Sequence, residues 1–79
     1  MDQEKVIRRV MQVIRESTET EEELSENTTL YEELGLASVE LYVLLCDLED
    51  AFGITISAAA LREVRTVGEI CQVVNNILD

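Results

Sequence analysis

The stretch Gly35-Leu36-Ala37-Ser38-Val39-Glu40-Leu41-Tyr42-Val43-Leu44-Leu45-Cys46-Asp47-Leu48-Glu49-Asp50-Ala51-Phe52-Gly53 decides the fold, because a polar, acidic segment turns there into the longest apolar-periodic run of the chain. At the helical angle between successive residues, Leu41, Leu44, Leu45, Leu48 and Phe52 fall on one face, which must be a core face. The spacing predicts a helix from about Ala37 or Ser38 to Phe52. Gly53 closes it, since glycine accepts the left-handed backbone of a helix C-terminus. On the opposite face Val39, Val43, Cys46 and Asp50 line up, with Glu40 and Asp47 along one border and Glu49 along the other. Contiguous apolar side chains fringed by acids read as a docking surface rather than as scattered exposed residues. Ser38 stands at the junction, where a hydroxyl either caps the helix or is held out as a point of covalent attachment.

Upstream, Val6, Ile7, Val10, Met11, Val13 and Ile14 recur at three- and four-residue spacing and predict a first helix over roughly residues 3 to 16. Residues 17 to 29 are polar and aperiodic and read as a long loop, with Glu21-Glu22-Glu23 a solvated run. Leu24, Leu30, Tyr31 and Leu34 are expected to pin this loop to the core, residues 30 to 34 forming a short helical turn that Gly35 ends. Downstream, Ile54-Thr55-Ile56 is too short for a useful strand. Ser57 is a good N-cap for a short third helix over Ala58 to Glu63, whose alanines permit close packing or leave room for a small-molecule pocket beside Leu61 and Val64. Thr66-x-x-Glu69 has the form of a capping box and opens a last helix to about Leu78, with Val67, Ile70, Cys71, Val74, Ile77 and Leu78 on one side. The outcome is an all-α fold: a four-helix bundle of three long helices and one short third helix, in one domain over residues 1–79.

Composition agrees. The chain has 79 residues, no proline, three glycines and three aromatic residues among 47% apolar ones, which suits aliphatic helices better than a β-sandwich. Net charge is −11, from 17 acids against 6 bases, which excludes a direct grip on nucleic acid or on an anionic membrane surface. An acidic shell favours encounters with basic patches on protein partners. Charge is polarised: after Arg15 the only bases are Arg62 and Arg65. Cys46 and Cys71 sit in different helical segments, and the first residues lead straight into an amphipathic pattern without a signal peptide, so both thiols are expected to be reduced and the protein cytoplasmic. There is no histidine, no zinc or EF-hand spacing and no Gly-rich phosphate loop, so no metal site and no unaided acid–base catalysis are expected.

Three segments together, Leu34-Gly35-Leu36-Ala37-Ser38-Val39-Glu40-Leu41, Leu48-Glu49-Asp50-Ala51-Phe52-Gly53-Ile54-Thr55-Ile56 and Thr66-Val67-Gly68-Glu69-Ile70, resemble the acyl carrier proteins over almost the whole chain. The resemblance implies that Ser38 is esterified by 4′-phosphopantetheine from coenzyme A and that acyl groups ride on the arm's thiol as thioesters. It implies a non-catalytic carrier for fatty-acid or polyketide-type biosynthesis, acting as a monomer. Its partners would be a phosphopantetheinyl transferase and acyl-transferring and condensing enzymes with basic docking patches, which recognise Val39, Glu40, Val43, Cys46, Asp47, Glu49 and Asp50. A phosphodiester at a helix start would meet unpaired backbone N–H groups and the positive end of the helix dipole.

The family's usual attachment pattern is Asp-Ser-Leu, and this chain has Ala37-Ser38-Val39. The aspartate resembles a contact made to the transferase, so Ala37 bears on which transferase charges the protein. Val43 stands where an acid is common, and Arg62 and Arg65 make the third-helix region less acidic than usual. These departures point to a specialised carrier with dedicated partners. The competing class is an acidic interaction domain without a prosthetic group, in which Ser38 is only a cap.

Overall fold

A computed structural model describes residues 2–21 and 23–78, apart from the side chain of Leu61. Glu22 of the acidic run, and the packing expected beside Leu61, lie outside the described residues. The chain forms α1 (Gln3–Thr18), α2 (Ser38–Phe52), α3 (Ala58–Glu63) and α4 (Val67–Leu78). Among the described residues there is no strand, only an isolated antiparallel bridge between Thr29 and Thr66.

Each helix begins and ends where side-chain chemistry allows. Asp2 caps α1 by accepting the Glu4 N–H at 3.2 Å. At the other end the Thr18 hydroxyl donates to the Ile14 carbonyl at 2.6 Å, and Glu19 takes a left-handed φ of 55°, so the helix runs two residues past the expected stop. Gly53 closes α2 at φ 64°, with its N–H on the Glu49 carbonyl at 2.8 Å. The Ser57 hydroxyl accepts the Ala60 N–H at 3.1 Å, which starts α3 at the expected residue. The Thr66 hydroxyl accepts the Glu69 N–H at 3.2 Å; the Glu69 carboxylate returns to that hydroxyl rather than to backbone, so the expected box is half formed.

One buried cluster joins the helices. Val6, Val10, Val13 and Ile14 of α1 meet Leu41, Leu44, Leu45 and Leu48 of α2 and Val67, Ile70, Cys71 and Val74 of α4, and α1 packs against both of its long neighbours. Phe52, expected in the core, is half-buried at its edge, and Ile77 is 41% exposed, because the buried face of α4 ends at Val74.

The long connection between α1 and α2 is held by backbone. Leu30 donates to the Arg65 carbonyl at 2.8 Å, Val67 to Thr28 at 3.0 Å and Gly68 to Glu26 at 2.8 Å. These bonds tie the loop to the α3–α4 junction while Leu24, Leu30 and Leu36 enter the core. Thr28 is the buried polar residue of the segment, and its hydroxyl accepts the Ser25 N–H at 2.9 Å. Residues 30–34 form hydrogen-bonded turns rather than a helical turn, and Tyr31, expected to pin the loop, is 43% exposed. A Cβ at Gly68 would lie 2.9 Å from the Glu26 carbonyl oxygen, so glycine is what lets the two backbones meet.

Leu44→Ala and Leu48→Ala are expected to lower unfolding free energy in urea by about 2–5 kcal/mol each, with Phe52→Ala costing less than either. Gly68→Ala, which in an open helix would stabilise, is expected to destabilise by about 1–3 kcal/mol because the added methyl overpacks the loop contact.

Candidate functional site

Ser38 is the first residue of α2, so it does not occupy the capping position; Ala37 does, with φ −84° and ψ 164°. The alanine side chain has no oxygen to offer. The remaining help comes from Glu40, whose carboxylate accepts the Ala37 N–H at 3.2 Å. The first turn is therefore half-capped: the N–H groups of Ser38, Val39 and Glu40 have no acceptor among the described residues, and Leu41 is the first to bond, to the Ala37 carbonyl at 3.0 Å. The Ser38 side chain is exposed, and its hydroxyl likewise has no hydrogen-bond partner among the described residues. The site thus combines an accessible hydroxyl with unused donors and the positive end of a helix dipole, a setting suited to a covalently attached anion.

A groove of about 160 Å³ opens beside Ser38, lined by Tyr31, Leu41, Tyr42, Ala58 and Arg62. Tyr31 and Arg62 also line a neighbouring groove of about 250 Å³ with Thr29, Glu32 and Arg65. Ala60 packs on the core, in line with close packing, whereas Ala58 lines the groove beside Ser38 rather than a pocket beside Val64. The lining residues Tyr31, Tyr42 and Arg62 were not among the site residues expected from sequence. Tyr42 had a signal, standing one helical turn after Ser38, and Arg62 is one of the two late bases. Tyr31 had none, because only the loop's backbone bonds decide where it stands.

The residues expected to dock a partner separate into groups. Val39, 72% exposed, Val43, 51% exposed, and Cys46 form the open strip, with Tyr42 also exposed. Glu40 and Asp50 are exposed, and Asp47 is half-buried. Asp47 and Asp50 turn toward α1, sharing a groove of about 400 Å³ with Arg9, Val13, Glu16, Ser17 and Ala51. Glu49 faces the other way, and its carboxylate accepts the Ile56 N–H at 2.8 Å, which anchors the segment between α2 and α3. A carboxylate with that internal duty is less free to meet a partner than Glu40 or Asp50.

The two thiols differ. Cys46 is exposed and Cys71 is buried in the core. Burial pushes the Cys71 thiol up to about 11, with the nearby Glu26 carboxylate adding to the rise. Among the described residues no group of side chains is arranged to hold a metal ion, and no helix is long and apolar enough to cross a membrane.

Known proteins resemble the chain over most of its length. A family model described as a phosphopantetheine attachment site matches residues 8–74. The acyl carrier protein of Saccharopolyspora erythraea is 32% identical over 73 residues, 91% of this chain and 77% of the relative. That of Thermotoga maritima is 32% identical over 68 residues, 85% of this chain and 84% of the relative. The structure of a putative acyl carrier protein from Mycobacterium tuberculosis superposes with a TM-score of 0.85 at 28% identity, covering 90% of this chain and 96% of that one.

Two outcomes test this description. A thiol reagent is expected to modify one cysteine in the native state, Cys46, and both in denaturant. Because the folded Cys71 thiol holds its proton to about 11 against 9.0 when unmodified by the fold, its contribution to stability is present below pH 9 and lost as pH rises from 9 to about 11. The stability of the wild type relative to Cys71→Ala, followed by denaturant titration, is expected to be flat at neutral pH and to fall over that window.

Proposed function

This chain belongs to the acyl carrier protein family with its phosphopantetheine attachment site, and on that premise we propose that Ser38 is the residue that takes the 4′-phosphopantetheine arm. The observation that carries the assignment is the exposed, unpartnered Ser38 hydroxyl at the first residue of α2, beside three unused backbone donors. When bound, the arm supplies a terminal thiol on which acyl groups travel as thioesters. Ser38 contributes the oxygen that forms the ester to phosphorus as the diphosphate P–O bond of coenzyme A breaks and its adenosine bisphosphate half leaves; the hydroxyl proton passes to a base of the transferase, with no hydrogen bond to give up first. The N–H groups of Ser38, Val39 and Glu40 then face the anionic charge, and Ala37 brings no second negative charge next to it.

The rest of α2 serves recognition. Val39, Val43 and Cys46 offer apolar contact, and Glu40, Asp47 and Asp50 supply charge to a basic patch, with Glu49 contributing from its anchored position. The partners are a phosphopantetheinyl transferase and the acyl-transferring and condensing enzymes of a fatty-acid or polyketide-type route, met by a monomeric, non-catalytic carrier in the cytoplasm. The exposed Val39 and Val43, together with Ala37, support a specialised carrier with dedicated partners. A standard fatty-acid synthase set that loaded and elongated on this protein at normal rates would sink that part of the reading.

Incubation with coenzyme A and a broad-specificity phosphopantetheinyl transferase is expected to add the mass of one arm, and Ser38→Ala to abolish the gain. Ala37→Asp, which supplies the missing cap, is expected to raise stability by about 1 kcal/mol and to speed loading. If neither the wild type nor Ala37→Asp gains mass, the protein is an acidic interaction domain without a prosthetic group.

A further inference from the structure

The two bases that follow Arg15 in this acidic chain, Arg62 and Arg65, come to the same side of the molecule as Ser38. Arg62 lines the groove into which Ser38 opens, and together with Tyr31 it forms the shared wall between that groove and the one reached by Arg65. Neither guanidinium has a hydrogen bond or ion pair among the described residues. Glu32 lines the outer groove but makes no ion pair with either arginine among the described residues. Hydrogen bonds hold the backbone that carries both residues. Ser57 caps the start of α3, and the Arg65 carbonyl accepts the Leu30 N–H that holds the Tyr31 turn in place.

We infer that the Arg62 guanidinium, with Arg65 behind it, cradles the anionic phosphodiester of the group esterified to Ser38, holding the root of the arm against Tyr31 in the groove between α2 and α3. The inference rests on Ser38 being the attachment site and adds a residue that positions what is attached. Attachment places the phosphodiester at the Ser38 oxygen, on the groove's own wall, so the encounter with Arg62 is intramolecular and the usual loss of translational freedom is absent. A planar guanidinium presents paired donors that match two phosphate oxygens. The site is open to solvent, so the contact is screened by salt. The first-turn N–H groups of α2 approach the same anion from the helix side, and Arg62 closes the opposite side.

The test uses the loaded protein, with intact mass confirming one arm per chain, and reads the phosphorus resonance of the arm by NMR. Expected in low salt is a resonance displaced and broadened relative to the same protein unfolded in denaturant. Arg62→Gln moves it most of the way to the unfolded position, Arg62→Lys falls between, Arg65→Gln moves it less, and Arg8→Gln on α1 leaves it unchanged. High salt applied to the wild type reproduces the Arg62→Gln spectrum, a measurement that holds even if that variant folds poorly. A loaded wild type whose resonance ignores both salt and Arg62→Gln overturns the cradle and leaves the attachment site standing. A resonance that responds to Arg62→Gln only after an acidic partner protein is added also overturns it, making Arg62 a docking cation. Failure of Ser38 to load at all removes both readings.

Discussion

Three backbone hydrogen bonds between the α1–α2 loop and the α3–α4 junction hold this structure in register, those of Leu30 to Arg65, Val67 to Thr28 and Gly68 to Glu26. α1 already packs on α2 and α4, but nothing in that packing dictates where a polar, acidic connection should lie. The backbone bonds decide it. They satisfy N–H and C=O groups that would otherwise be stranded beside the core, and they bring Leu24, Leu30 and Leu36 to the positions where they fill it. The same bonds set Tyr31 opposite Ser38 and Arg65 behind Arg62, so the wall of the groove is a by-product of how the loop is tied down.

α2 does two jobs with one residue period. Its leucines at 41, 44, 45 and 48 are buried, while Val39, Val43 and Cys46 stay in solvent. Exposing valines costs hydrophobic free energy that a purely structural helix would avoid, and acids stand beside them on the same surface. The helix is therefore stabilised from one side only, and its N-terminus, where Ser38 sits, is the least supported part of it.

Much of this was legible in the sequence because it depends on local rules. Ser57, Thr66 and Gly53 mark helix ends through contacts within a few residues, and the limits of α3 followed from them. The leucine face of α2 followed from periodicity alone, and the start of α2 at Ser38 from the polar-to-apolar junction. What was not legible depends on long-range pairing. The burial of Thr28, the exposure of Tyr31 and the absence of a helical turn at residues 30–34 all stem from hydrogen bonds to residues far along the chain, at Arg65, Val67 and Gly68. Glu49 looked like one more surface acid on a helical wheel; its hold on Ile56 depends on the path of the chain after Gly53, which no wheel contains. Phe52 and Ile77 kept the right face but lie where the neighbouring helices no longer cover it.

Glu40 occupies a position of conflict. Among the described residues its carboxylate is the only side-chain brace on the start of α2, and it is also an exposed charge on the face proposed for docking. A partner's cation that draws Glu40 outward takes it from the Ala37 N–H, so recognition and the order of the turn bearing Ser38 form two legs of one thermodynamic cycle. Partner binding at that residue, as proposed, would loosen the backbone next to the serine, and a more tightly wound start to α2 would weaken the binding by the same factor. In a protein with aspartate at position 37 the brace would be shared and the two legs largely uncoupled; with alanine there, they are joined through a single carboxylate.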